Sequence, residues 1–275
     1  MGLTDVCGIC EELDVKRATG VCGSVDGMKV SFRSVVVSAL WLAWLGLLPG
    51  TFVAVLVTGQ GRWSRFWWMS SAVLVAAAWV HWFGQRRDRL GPACALIACG
   101  ITLGMLADLY GACRALRFTE PLTMIIPLFA LGHVGYVAGS RMAASRLGLT
   151  ARPGWRRTLA GAVALYNLVG LALWVTLVRP SDALPAMHLP TAVYTVFLAT
   201  AAAVMAALAC FDRRFLAVGI GGLLFLLSDG FLAVRLFQDN WRGLGDLCWI
   251  TYGLGQMLII YGFLAATWLR TGPKR

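Results

Sequence analysis

Residues 215–236 read FLAVGIGGLLFLLSDGFLAVRL, an apolar run closed by Arg235 and broken once, by Asp229. About 20 residues rising 1.5 Å each match the roughly 30 Å hydrocarbon thickness of a bilayer. Lipid offers backbone amides and carbonyls no partners, so a spanning segment of this kind has to be helical. Similar runs recur along the chain. Spans are expected at about 35–57, 66–83, 93–112, 121–140, 157–178, 190–210, 214–236 and 245–268. The fold class is therefore an all-α integral membrane protein of eight transmembrane helices, with residues 31–270 forming the transmembrane domain and 271–275 a C-terminal tail.

Working outward, the composition agrees. Of 275 residues, 59% are hydrophobic and 13% charged, against about 25% charged in a soluble domain. The net charge of +11 does not imply nucleic acid, because the arginines sit in short connections between apolar runs rather than on one helix face. Their distribution gives orientation instead. Seventeen Lys and Arg lie on the side of the N-terminus and seven on the other, which places both termini in the cytoplasm. Trp63, Trp67, Trp155, Trp241 and Trp268, near span ends, fit interfacial belts. Residues 1–30 precede the first apolar run. Their Cys7, Cys10 and Cys22 lack a fourth ligand, so this segment reads as a disordered tail rather than a zinc site.

The decisive run has an echo. Ala107-Asp108-Leu-Tyr-Gly-Ala-Cys-Arg114 and Ser228-Asp229-Gly-Phe-Leu-Ala-Val-Arg235 both read small-Asp-x-aromatic-x-Ala-x-Arg. In the spans that follow, Leu131-Gly132-His133 with Gly139 answers Leu254-Gly255-Gln256 with Gly262. Helices three and four thus resemble seven and eight. An offset of four spans preserves direction, so the expectation is a parallel internal repeat about an axis along the membrane normal, with the two aspartates facing each other across it. Helices one and two show no comparable echo in five and six.

Asp108 and Asp229 are the acids well inside spans, and an intramembrane carboxylate marks function by default, since one at a helix centre costs about 2.5–3.5 kcal/mol on insertion scales. Both fall toward the outer ends of their helices. Arg114 and Arg235, six residues on, lie about 9 Å further out, at headgroup level. Tyr194 and Tyr252 enter from the same face, Gln256 shares a helical face with Tyr252, and His133 lies deeper. A histidine-held metal is not expected. His81, His133 and His188 fall near the cytoplasmic side, in mid-span and in an outer loop, too far apart for zinc, so the site is read as metal-free and without a cofactor.

These residues also carry a resemblance. Phe225-Leu-Leu-Ser-Asp-Gly-Phe-Leu-Ala-Val-Arg-Leu-Phe237, followed by Thr251-Tyr252-Gly-Leu-Gly-Gln256, is similar to the C-terminal signature of the YhhN-like lysoplasmalogenase family. Leu189-Pro190-Thr-Ala-Val-Tyr194 resembles that family's Pro-Val-x-x-Tyr helix start, and Phe129-Ala-Leu-Gly-His133-Val-Gly-Tyr136 its Phe-x-x-Ala-His-x-x-Tyr helix. The similarity covers roughly residues 95–268. Two departures stand out: Ala107 precedes Asp108 where the family has Gly-Asp, and no Lys-Pro occurs at residues 62–66. The resemblance implies an eight-span, metal-free hydrolase. Its substrate would be a lysophospholipid drawn from the membrane, and it would cleave the vinyl ether bond of lysoplasmalogens to a fatty aldehyde and a glycerophospho-base.

Such a bond breaks when an acid protonates the carbon β to oxygen and water captures the resulting oxocarbenium ion. Two carboxyl groups in one apolar site can hold a single proton between them, supplying acid and base together. Asp108 and Asp229 are the expected catalytic pair. Arg114 and Arg235 are candidates for holding phosphate, and Tyr194, Tyr252, Gln256, His133 and Ser228 for binding the rest of the substrate or water. The competing readings are a proton-coupled or lipid transporter, which needs an aqueous path to both sides, and a lipid-binding protein without turnover.

Overall fold

The computed structural model describes residues 24–59, 67–113, 120–238 and 243–268, with side chains from Ser34 onward. Every regular element among them is helical. α1 (Ser24–Leu45) continues through a π-helical turn, Gly46–Gly50, into Thr51–Thr58. Pro49 sits inside that turn, where its missing N–H removes one rung of the ladder. The others are α2 (Trp67–Gln85), α3 (Gly91–Ala112), α4 (Pro121–Arg146), α5 (Trp155–Leu173, extended by a second π turn, Trp174–Val178), α6 (His188–Phe211), α7 (Leu216–Phe237) and α8 (Leu244–Trp268).

The ends differ from the sequence expectation where packing outruns composition. α1 begins at Ser24, ahead of the first apolar run. α4 runs past residue 140 to Arg146 because Ala143 and Ala144 are still buried in the core, and it stops before Gly148, whose φ of +72° suits a residue without Cβ. Trp67 and Trp155 are core residues, not belt residues; Trp67 lies between Phe52 and Trp249. Trp63, Trp241 and the cysteines at 7, 10 and 22 lie outside the described residues.

Seven of these helices are long and apolar enough to cross a membrane, and α2 is the one outside that set. Its interior face carries Ser70, Ser71, His81 and Gln85, all buried, which lowers its hydropathy while marking it as an inner element. α1 and α5 turn apolar faces outward through Leu42, Val53, Leu56, Leu165, Leu168 and Val169.

Two helix pairs pack backbone to backbone through glycine. A Cβ placed on Gly100 of α3 would lie 2.8 Å from the Gly132 carbonyl of α4; one on Gly221 of α7 would lie 2.7 Å from the Gly255 carbonyl of α8. Only glycine permits such an approach, the usual device for joining helices where no hydrophobic drive exists. Around these pairs the cross-contacts are reciprocal: α2 packs on α8, and α6 on α4.

Candidate active site

Asp108 lies near the C-terminal end of α3 and Asp229 in the C-terminal half of α7, and both point into one cavity. Asp108 Oδ2 accepts hydrogen bonds from Ser71 Oγ of α2 at 2.6 Å and from Tyr252 OH of α8 at 2.7 Å. Behind them, Gln256 closes a ring: its Nε2 donates to Tyr252 OH at 2.5 Å and its Oε1 lies 2.9 Å from Ser71 Oγ. The i, i+4 spacing of Tyr252 and Gln256 makes that last side possible.

Asp229 has a shorter network. Tyr194 of α6 donates to its Oδ2, and Ser228 Oγ stands 3.4 Å from Oδ1. A phenol has one hydrogen. With that hydrogen on Asp229, the contact between Tyr194 OH and His133 Nε2, at 3.3 Å, is a donation from the imidazole, which fixes the His133 proton on Nε2. His133 Nδ1, an unprotonated acceptor in that tautomer, is buried without a hydrogen-bond partner.

The two networks differ in hydrogen count. Of the four contacts just described around Asp108, Ser71, Tyr252 and the Gln256 amide supply hydrogens to three. The three just described around Asp229 have a hydrogen each, from Tyr194, Ser228 and His133.

Both carboxyl groups line one cavity of about 430 Å³. Its other walls include Trp68 at the start of α2, Gly111 and Ala112 at the end of α3, Arg235 of α7, and Cys248, Trp249 and Tyr252 of α8. All lie toward the end of the bundle that holds the start of α2, the ends of α3 and α7 and the start of α8. An acid pair thus forms the floor of a mostly apolar chamber whose cation, Arg235, stands about 9 Å further along α7. That arrangement suits an amphiphile with an anionic head.

Of the residues singled out from sequence, Asp108, Asp229, Tyr194, Tyr252, Gln256, His133 and Ser228 form the two hydrogen-bond networks, and Arg235 shares their cavity. Arg114 lies outside the described residues. His81 and His188 are elsewhere, bonded to Thr267 Oγ1 at 2.8 Å and to the Ser181 carbonyl at 2.9 Å. Ser71 went unnoticed in the sequence, although a Ser70-Ser71 pair in mid-run was the available signal.

A family model, the YhhN family, matches residues 63–263. The chain belongs to the YhhN family. That match takes in every residue of the two networks, and it begins one helix earlier than the motifs alone suggested, so α2 and Ser71 fall within the YhhN region. No curated protein and no solved structure matches the chain.

Proposed function

We propose that this YhhN-family protein is a membrane hydrolase that cleaves the vinyl ether bond of lysoplasmalogens, with Asp108 as the acid and Asp229 as the base. The observation that carries the proposal is the single cavity lined by both aspartates, with Arg235 available to a phosphate.

The hydrogen count supports the division of roles. If Asp108 carries a proton on Oδ2, the missing fourth hydrogen is present, and Asp108, Ser71, Gln256 and Tyr252 close a ring in which each group donates once and accepts once. The ring closes in either direction, whichever way the Gln256 amide is turned. Asp229 needs no such proton, since its three contacts are already served. One carboxyl is thereby kept as an acid and the other as a carboxylate, the division that glycosidases also use.

The reaction balances on these two groups. Asp108 gives its proton to the chain carbon β to the ether oxygen, and the π pair of the double bond forms the new C–H bond. The oxocarbenium ion forms beside the Asp229 carboxylate, which accepts a proton from water as its oxygen bonds the cationic carbon. The hemiacetal then collapses: Asp108, now a carboxylate, takes the hydroxyl proton as the C–O bond to glycerol breaks, and Asp229 gives its proton to the leaving glycerol oxygen, which restores both groups. One water is consumed, and an aldehyde and an alcohol leave.

The membrane setting is part of the proposal. α2 crosses together with the other seven helices, both termini lie in the cytoplasm, and α1–α4 and α5–α8 are parallel units about an axis along the membrane normal. Two intervals in the sequence support the repeat. Asp108 and Asp229 are 121 residues apart, as are Gly100 and Gly221; Ser71 and Tyr194 are 123 apart, as are Gly132 and Gly255, and His133 and Gln256. Equivalent positions therefore make equivalent bonds.

The test is mass spectrometry of purified protein incubated with a lysoplasmalogen, its 1-acyl analogue and its saturated alkyl ether. Aldehyde from the first alone is the expected result. Cleavage of the acyl compound would make it an esterase, and no product from any would reject hydrolysis.

A further inference from the structure

A second space meets the first at Asp229. It is a groove of about 100 Å³ between α4, α5, α6 and α7, and its walls are apolar apart from Asp229, Tyr194 and two threonines. Ile125, Phe129, Asp229 and Leu232 line both spaces, so the two adjoin at the carboxyl group. Asp108 borders only the larger one.

The groove is held open by its own architecture. Its α5 wall is Gly170, Leu173 and the π turn that follows, Trp174–Val178, and the Trp174 indole is tied to α6 by Nε1 donation to the His188 carbonyl at 3.1 Å and to Thr191 Oγ1 at 3.2 Å. π turns concentrate at functional sites because they displace one helix face without ending the helix. On the far side of this wall, Leu168, Val169 and Val175 form an exposed apolar surface of the kind lipid covers.

The equivalent place in the other half is filled. Trp249 of α8 stands where α4 has Ile126, 123 residues earlier. Its ring packs on Trp67 at 6.1 Å, Phe52 packs on Trp67 at 6.2 Å, and Leu48 from the π turn of α1 presses against Gly253. One duplicated position is thus closed by aromatic rings and the other left open beside an aspartate.

We infer that this groove is the port for the substrate's hydrocarbon chain: a single-chain lipid places its phosphate in the main cavity with Arg235 and threads the first methylenes past Asp229 between α4 and α5. Adjacency to the cavity at Asp229, the apolar lining and the charge of Arg235 all specify such an amphiphile. The bond joining head and chain then crosses the junction of the two spaces, where both carboxyl groups can reach it. Only a few methylenes fit, and the rest of the chain lies along α5 in the bilayer, so bulk close to the bond is discriminated and total chain length is not.

The activity arm of the test rests on the hydrolase reading; the labelling arm does not. Full-length protein is irradiated with a 1-O-alkyl lysophosphoethanolamine bearing a diazirine in its first few chain carbons, and labelled peptides are mapped. Label on Ile126, Leu173 or Trp174 is expected, and label on α1 and α8 instead would overturn the inference. In parallel, Ile126→Trp, which copies the filled half, is assayed on hexadecenyl and ethenyl glycerophosphoethanolamine. Its ratio of long-chain to chainless turnover should fall at least ~10-fold. An unchanged ratio in a variant that stays monodisperse and keeps its melting temperature would overturn the inference. Labelling in the groove with no cleavage by the unaltered protein would retain the port and reject the hydrolase.

Discussion

In the α1–α4 half, Asp108 is met by Ser71 from α2 and, across the interface, by Tyr252 of α8. In the α5–α8 half, Asp229 is met by Tyr194 from α6, whose hydroxyl reaches across to His133 of α4. The two arrangements are alike in plan and differ in chemistry. A short hydroxyl at 71 leaves room for Gln256 and Tyr252 to close a ring, whereas the long phenol at 194 fills its own corner and ends an open chain. In the proposed mechanism this difference is what separates the pair into an acid and a base.

The strongest way to break that comparison is to remove each carboxyl group in turn. Asp108→Asn and Asp229→Asn should each lower aldehyde release by about 10³-fold or more, because acid and base catalysis each contribute on the order of 10²–10⁴. The double variant should be little worse than either single one, since groups that act as a unit are not additive. Initial rates with a lysoplasmalogen measure both, and a single variant within tenfold of the parent would remove that aspartate from the chemistry.

Next in size are the hydroxyls that hold the pair. Tyr194→Phe strips Asp229 of its shared donor and leaves the His133 N–H without an acceptor, and a buried unsatisfied group costs about 1–3 kcal/mol. A drop in kcat of roughly 10–100-fold is expected, with KM little changed. Ser71→Ala opens the ring but leaves Tyr252 on Asp108, so its loss should lie at the lower end of that range. If Ser71→Ala proved the more damaging, the roles of the two networks would be reversed.

How much of this was legible in the sequence follows the same division. Asp108, Asp229 and the glycine spacing could be read because membrane helices tolerate charge and demand close packing at few places. Arg235 was legible as a cation one and a half turns from an acid. The proposed correspondence of α2 and α6 was not, because it rests on one serine against one tyrosine, and no residue-type comparison aligns them. Only the bonds each makes reveal the pairing. The end of α4 beyond residue 140 has a similar origin, since burial of Ala143 and Ala144 extends the helix beyond what its polar Ser140 and Arg141 suggest.

Packing tests the repeat without reference to chemistry. Gly100→Ala and Gly221→Ala each drive a methyl group into a backbone carbonyl of the neighbouring helix, at 2.8 and 2.7 Å. Each should destabilise the folded protein by about 1–3 kcal/mol, read as comparable drops in melting temperature in detergent. A large loss at one and none at the other would mean the two pairs are not equivalent. Arg235→Gln probes the rim instead. It should raise KM about tenfold with kcat nearly unchanged, as loss of a contact made equally in ground and transition states does.

The smallest effect is expected where the halves differ least in consequence. Ser228 precedes Asp229, and its counterpart 121 residues earlier is Ala107, beside Asp108. The Ser228 hydroxyl reaches Asp229 Oδ1 only at 3.4 Å, beyond the usual range for a strong O–H···O bond. Tyr194 already serves the other oxygen of that carboxylate. Ser228→Ala therefore makes the second half resemble the first at this position while removing a weak contact, and a change in kcat of less than about threefold is expected. A loss as large as that of Tyr194→Phe would show that Asp229 needs both oxygens satisfied to act as a base, and the difference between Ala107 and Ser228 would then belong to the division of labour rather than to drift.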